Sequence, residues 1–97
     1  MIKTDILGAY MVLNESVISC KEIDGEIVVL HKKEKAFYEL NASANAIWKE
    51  ALKKQEIFKI IEAMMKKYEK VNKQTLESDT LEFIHKLIRD KMFMIKK

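Results

Sequence analysis

The chain has no proline, only two glycines and a single cysteine in its 97 residues. The absence of proline, of low-complexity tracts and of any repeat at a solenoid period leaves nothing to divide it, so one domain over residues 1–97 is expected, with its core at about 17–95. Gly8 and Gly25 are too far apart for a phosphate-cradling loop, which needs several close backbone approaches; nucleotide binding is disfavoured. Cys20 alone can neither close an internal disulfide nor build a thiolate metal site. The two histidines, His31 and His85, show no ligand or catalytic spacing with Cys20 or with each other. No metal, cofactor or enzymatic activity is therefore expected. No apolar run approaches the roughly 20 residues that cross a bilayer, and Asp5, Asn14 and Glu15 interrupt any secretory h-region. A cytoplasmic location is the expectation.

What is present is a balanced mixture, 48% hydrophobic and 34% charged, which suits a folded globular protein and not a disordered one. At this size folding buries about 60 to 65% of the unfolded surface, so the core is modest. The net charge of +3 comes from 18 basic side chains among 15 acidic ones and points to no polyanionic partner.

The periodicity changes once, near Asn41, from short β-favouring runs to a strong 3.6-residue pattern. Residues 17–23 and 26–31 flank Asp24-Gly25, a pair suited to the positive φ angles of a type I′ turn, and predict a hairpin. Residues 36–40, rich in aromatics and too short for a helix, predict a third antiparallel strand. Asn41 is a good cap for a helix over residues 42–52, with Ala44, Ile47, Trp48, Ala51 and Leu52 along one stripe. Residues 56–69 carry Ile57, Ile60, Ile61, Met64, Met65 and Tyr68 on one face. Thr75 is the expected cap of a third helix with Leu76, Thr80, Phe83, Ile84, Leu87 and Ile88 as its stripe; residues 92–95 form an extended tail. The fold class is α+β: a three-stranded antiparallel sheet followed by three helices, in a winged helix-turn-helix-like arrangement.

Helical methionines such as Met64 and Met65 mostly fill core gaps, and Trp48 and Tyr38 are expected as core anchors. The lysines 59, 66, 67, 70 and 73 read as a solvated face. A small winged-helix DNA-binding regulator is the rival class. Glu77, Asp79 and Glu82 in the leading turns of the third helix would bring negative charge towards phosphates and argue against nucleic acid.

If the strands pair in order, the third has a free edge able to accept an extended peptide. Its pockets would come from the third strand (Ala36, Phe37, Tyr38, Glu39, Leu40) and the third-helix stripe (Thr80, Phe83, Ile84, Leu87). The residues equally allow a stripe wholly committed to the core, an edge blunted by Lys35 and Glu39, or pairing with a second copy in a homodimer.

The string Asp24-Gly25-Glu26-Ile27-Val28-Val29-Leu30, then Phe37-Tyr38-Glu39-Leu40-Asn41 through Ile47-Trp48, resembles the pyrroloquinoline quinone biosynthesis protein D (PqqD) family. Downstream, Asp79 followed by Phe83-Ile84 is similar to that family's Asp-x-x-x-Phe-Leu pattern, so the likeness spans roughly residues 17–95. The chain departs from it at Lys33-Glu34-Lys35, where members often carry glycine. The resemblance implies a non-catalytic recognition element of ribosomally made, post-translationally modified peptide pathways. Such an element adds a precursor's leader as a strand beside residues 36–40, packed against residues 76–91. The implied partners are the precursor peptide and a radical S-adenosylmethionine maturase, or a lasso-type leader peptidase.

Overall fold

In a computed structural model, residues 6–96 are described; the expectation that the first residues carry no signal segment touches residues 1–5, which lie outside them. The elements run β1 (Tyr10–Leu13), β2 (Ile18–Ile23), β3 (Glu26–His31), β4 (Ala36–Glu39), α1 (Ala42–Ala51), α2 (Ile57–Lys67), α3 (Lys73–Arg89) and β5 (Phe93–Lys96). Strands β2, β3 and β4 form an antiparallel sheet in that order, while β1 and β5 pair antiparallel as a separate ribbon. The α+β class and the three-stranded sheet followed by three helices are as the sequence predicts.

The hairpin forms where Asp-Gly calls for it: Asp24 has φ 53° and Gly25 φ 82°, with Ile23 facing Glu26. Asn45 then clamps the hairpin to α1, its Oδ1 accepting the Ile27 amide at 2.7 Å and its Nδ2 donating to the Gly25 carbonyl at 3.2 Å. In the next turn Lys35 adopts φ 53°, the left-handed conformation that glycine takes without strain.

Asn41 caps α1 as expected, accepting the Ala44 amide at 2.8 Å. The cap of α3 is three residues earlier than the sequence predicts: Asn72, not Thr75, sits at the N-cap and accepts the Thr75 amide at 3.0 Å. Asparagine is the stronger capping residue, and Lys73 and Gln74 are good helix formers, so the helix gains a turn. At the other end the Met92 amide bonds the Leu87 carbonyl and the Lys91 amide the Ile88 carbonyl, a Schellman motif with Lys91 at φ 60° in glycine's place.

Strand β1 was not predicted. It pairs with β5, Met11 opposite Ile95 and Leu13 opposite Phe93, and the segment before it completes α2: the amides of Ile57 and Phe58 donate to the carbonyls of Ala9 and Leu7. Met11 is fully buried, so the core begins before residue 17. At its centre Trp48 and Phe93 meet edge to face, centroids 4.9 Å apart at 76°, among Ile18, Val29, Ile57, Ile60, Met64 and Ile84. Met65 packs at the margin of this core.

Candidate functional site

The register of the sheet determines which backbone groups of β4 are free. The Lys32 amide donates to Val17, so Val17 and Lys32 form a hydrogen-bonded pair, and antiparallel alternation makes Ser19–Leu30, Lys21–Val28 and Ile23–Glu26 the next such pairs. Val29 and His31 therefore direct their N–H and C=O towards β4, where they meet Tyr38 and Ala36. Phe37 and Glu39 point theirs the opposite way, along an edge that no other strand covers among the described residues. By the same alternation the edge of β2 offers the backbone groups of Cys20 and Glu22.

Side chains alternate as well. Tyr38 lies opposite the buried Val29 on the helix-facing side, and Phe37, 72% exposed, lies on the outer side opposite Leu30. Beside the free edge, between β4 and the C-terminal half of α3, runs a groove of about 320 Å³. Leu40, Phe83, Leu87 and Met92 line it over Val29 and Trp48, and Glu39, Lys86 and Asp90 border it. The Schellman turn places Met92 there by returning the chain beneath Leu87. Tyr38 forms the rim: its hydroxyl donates to Glu34 Oε1 at 2.8 Å. That hydrogen bond, then burial, then the charges of Glu34 and Asp90 hold its phenol above its ordinary pKa.

Of the residues predicted for the site, Tyr38, Glu39, Leu40, Phe83 and Leu87 meet in this groove. Ala36 is at the start of the same edge, half-buried, and Phe37 contributes its backbone from the edge and its ring to the outer face. Thr80 lines a neighbouring cleft with Phe83, and Ile84, at 0% exposure, sits behind the groove in the core. The expected core role fits Trp48, which is fully buried; Tyr38, 39% exposed, is instead a rim residue because β4 is the last strand of its sheet and no further strand flanks it among the described residues. Val29, Asn41, Ala44, Trp48, Lys86, Asp90 and Met92 also line the groove but were not among the residues the sequence predicted for the site. Lys86 and Asp90 had a signal, standing three and seven residues after Phe83 on one helix face. Among the described residues no group of His, Cys, Asp or Glu gathers as metal ligands, and no helix is long and apolar enough to cross a membrane.

No curated protein sequence matches the chain. Two solved structures share its fold. One, TbiB1 in complex with the TbiA(beta) leader peptide, is 23% identical with a TM-score of 0.73, covering 84% of this chain and 93% of its own. The other, a lasso peptide synthetase B1 complexed with the leader peptide, is 20% identical with a TM-score of 0.71, covering 87% and 96%. The model of the family described as Coenzyme PQQ synthesis protein D matches residues 26–92, from the hairpin turn to the groove's Met92. With the free edge and groove both inside that span, the chain belongs to the PqqD family.

Proposed function

We propose that this protein captures the leader segment of a ribosomally made precursor peptide and presents the rest of that peptide to a modifying enzyme. The observation that carries the reading is the open edge of β4 running beside an apolar groove: Phe37 and Glu39 offer main-chain donors and acceptors, and Phe83, Leu87 and Met92 supply a surface for side chains. Two proteins of the same fold were solved in complex with leader peptides, which supports a leader peptide as the ligand. The chain does no chemistry itself; it raises the effective concentration of precursor at its partner by tethering. That partner is a radical S-adenosylmethionine maturase or a lasso-type leader peptidase.

Titrating isotope-labelled protein with the leader of the precursor encoded beside it tests this. Amide shifts of Phe37 to Leu40 and of the C-terminal half of α3 are expected. Shifts confined to α2, or none at all, would overturn the reading.

A further inference from the structure

Phe37 is the most exposed large apolar side chain among the described residues, and it stands on the strand whose edge is open. Open edges are ordinarily blunted by lysine or proline, because an apolar edge invites other chains to pair with it. Strand β4, Ala-Phe-Tyr-Glu, contains neither. The ring does not face the groove. It lies on the outer side of the sheet across from the half-buried Leu30, in a non-hydrogen-bonded pair, the kind that sets side chains closest. Ser19 is the partner of Leu30 on its other side, and the next row of the same face reads Lys21, Val28, Glu39. The apolar patch is therefore Phe37, Leu30 and Val28, closed off by a serine and two charged residues. A stable protein partner takes about 800 Å² from each side, which three side chains do not supply. A single peptide strand asks for less, and Phe37 already offers it a free N–H and C=O beside the ring.

We propose that Phe37 is a specificity-determining residue, selecting peptides with an aromatic or branched aliphatic side chain at the position that pairs with it, on the face of the sheet opposite the groove. The assignment rests on the leader-binding reading of the edge. In antiparallel addition, which continues the pattern of the sheet, the peptide residue that exchanges both main-chain bonds with Phe37 turns its side chain to the same face. The two Cβ atoms then stand about 4.5 to 5.5 Å apart. The residues before and after it turn to the groove side, beside Tyr38 and Ala36. The peptide is thus gripped on both faces: one residue lies against the ring, and its neighbours lie towards the groove. A slip of one residue would exchange these two sets, so ring and groove together fix the register.

Phe37→Thr removes the ring while keeping the edge amide and a β-favouring side chain. Any substitution of Phe37, proline included, carries this loss in addition to its effect on the main chain. Ile23→Thr, at a 51% exposed position on β2, is the control for an apolar surface residue away from the edge. In calorimetry with a synthetic leader of the precursor encoded beside the chain, Phe37→Thr should weaken binding about two- to fivefold and Ile23→Thr should leave it unchanged; thermal melts confirm folding. Alanine is then placed at each leader position in turn. One position should matter to the natural chain and hardly at all to Phe37→Thr, and the positions coupled in the same way to Phe83→Ala, in the groove, should lie an odd number of residues from it. In the complex, nuclear Overhauser contacts from the Phe37 and Tyr38 rings should fall on alternate leader residues.

Equal affinity of Phe37→Thr and the natural chain, an equal loss in Ile23→Thr, or contacts from both rings to one leader side chain overturn the proposal. Binding that depends on Phe83 and not on Phe37 overturns it and leaves the leader reading standing. A leader that does not bind the natural chain overturns both.

Discussion

Phe37→Pro tests the strand-addition geometry most directly. Proline removes the outward amide of Phe37, one of four backbone groups that the edge presents through Phe37 and Glu39. Folding tolerates the change, because that amide bonds nothing within the sheet and proline is acceptable on an edge strand. Bound peptide loses one main-chain hydrogen bond and keeps a partly desolvated carbonyl, a cost of about 1 to 2 kcal/mol, or roughly 5- to 30-fold in Kd. Calorimetry with the leader measures it, beside a thermal melt to confirm folding. Glu22→Pro, the equivalent lesion on the outer edge of β2, should leave leader affinity unchanged. If Phe37→Pro binds normally and Glu22→Pro does not, the peptide adds to the other side of the sheet and the groove assignment fails.

Other outcomes can be checked on the chain alone. Lys35→Gly and Lys91→Gly each relieve a left-handed non-glycine residue and should raise stability by about 0.5 to 1 kcal/mol in urea unfolding; destabilisation would show that the side chain holds the turn. Met11→Ala empties a fully buried position of the unpredicted strand and should cost about 2 to 5 kcal/mol, whereas a loss within 0.5 kcal/mol would mean that the ribbon contributes little. Tyr38, whose phenol pKa is raised, stabilises the fold fully below the ordinary tyrosine value and loses that contribution as pH climbs through the raised one. Glu34→Gln should bring the Tyr38 titration, followed by carbon NMR of the labelled ring, down towards the ordinary value; an unmoved midpoint would refute the hydrogen bond as its main cause.

The parts of the fold legible in the sequence are those whose signals are local. Asp24-Gly25 dictates its own turn, Asn41 its own cap, and the apolar face of α2 repeats at helical spacing whatever surrounds it. Strand β1 was illegible because residues 9–13 form a continuous apolar run without turn chemistry, and β1 pairs with a strand some eighty residues away. The end of α3 was blurred for a different reason: Lys91 performs the reversal that glycine would have announced. The site divides the same way. A strand edge and a helix stripe are patterns, so Tyr38, Phe83 and Leu87 could be named; but a stripe is wider than a groove, and only packing shows that Ile84 lies behind it in the core while Phe83 and Leu87 line it. Met92 joins them through the chain reversal after α3, which no periodicity encodes.

The Asn45 clamp has a consequence for timing. By occupying the Ile27 amide it takes the bond that Leu40 would need to continue β4, and the edge stops at Glu39. Four main-chain groups at about 1 kcal/mol each hold a peptide only in the millimolar range. Under the proposed leader-binding reading, an edge this short would give a bound peptide a brief residence time unless its side chains also filled the groove, so a peptide that fits the groove would outlast one that does not. It also offers too little backbone to seed the stacking of further strands, which keeps a protein built around an open edge from becoming a template for its own aggregation.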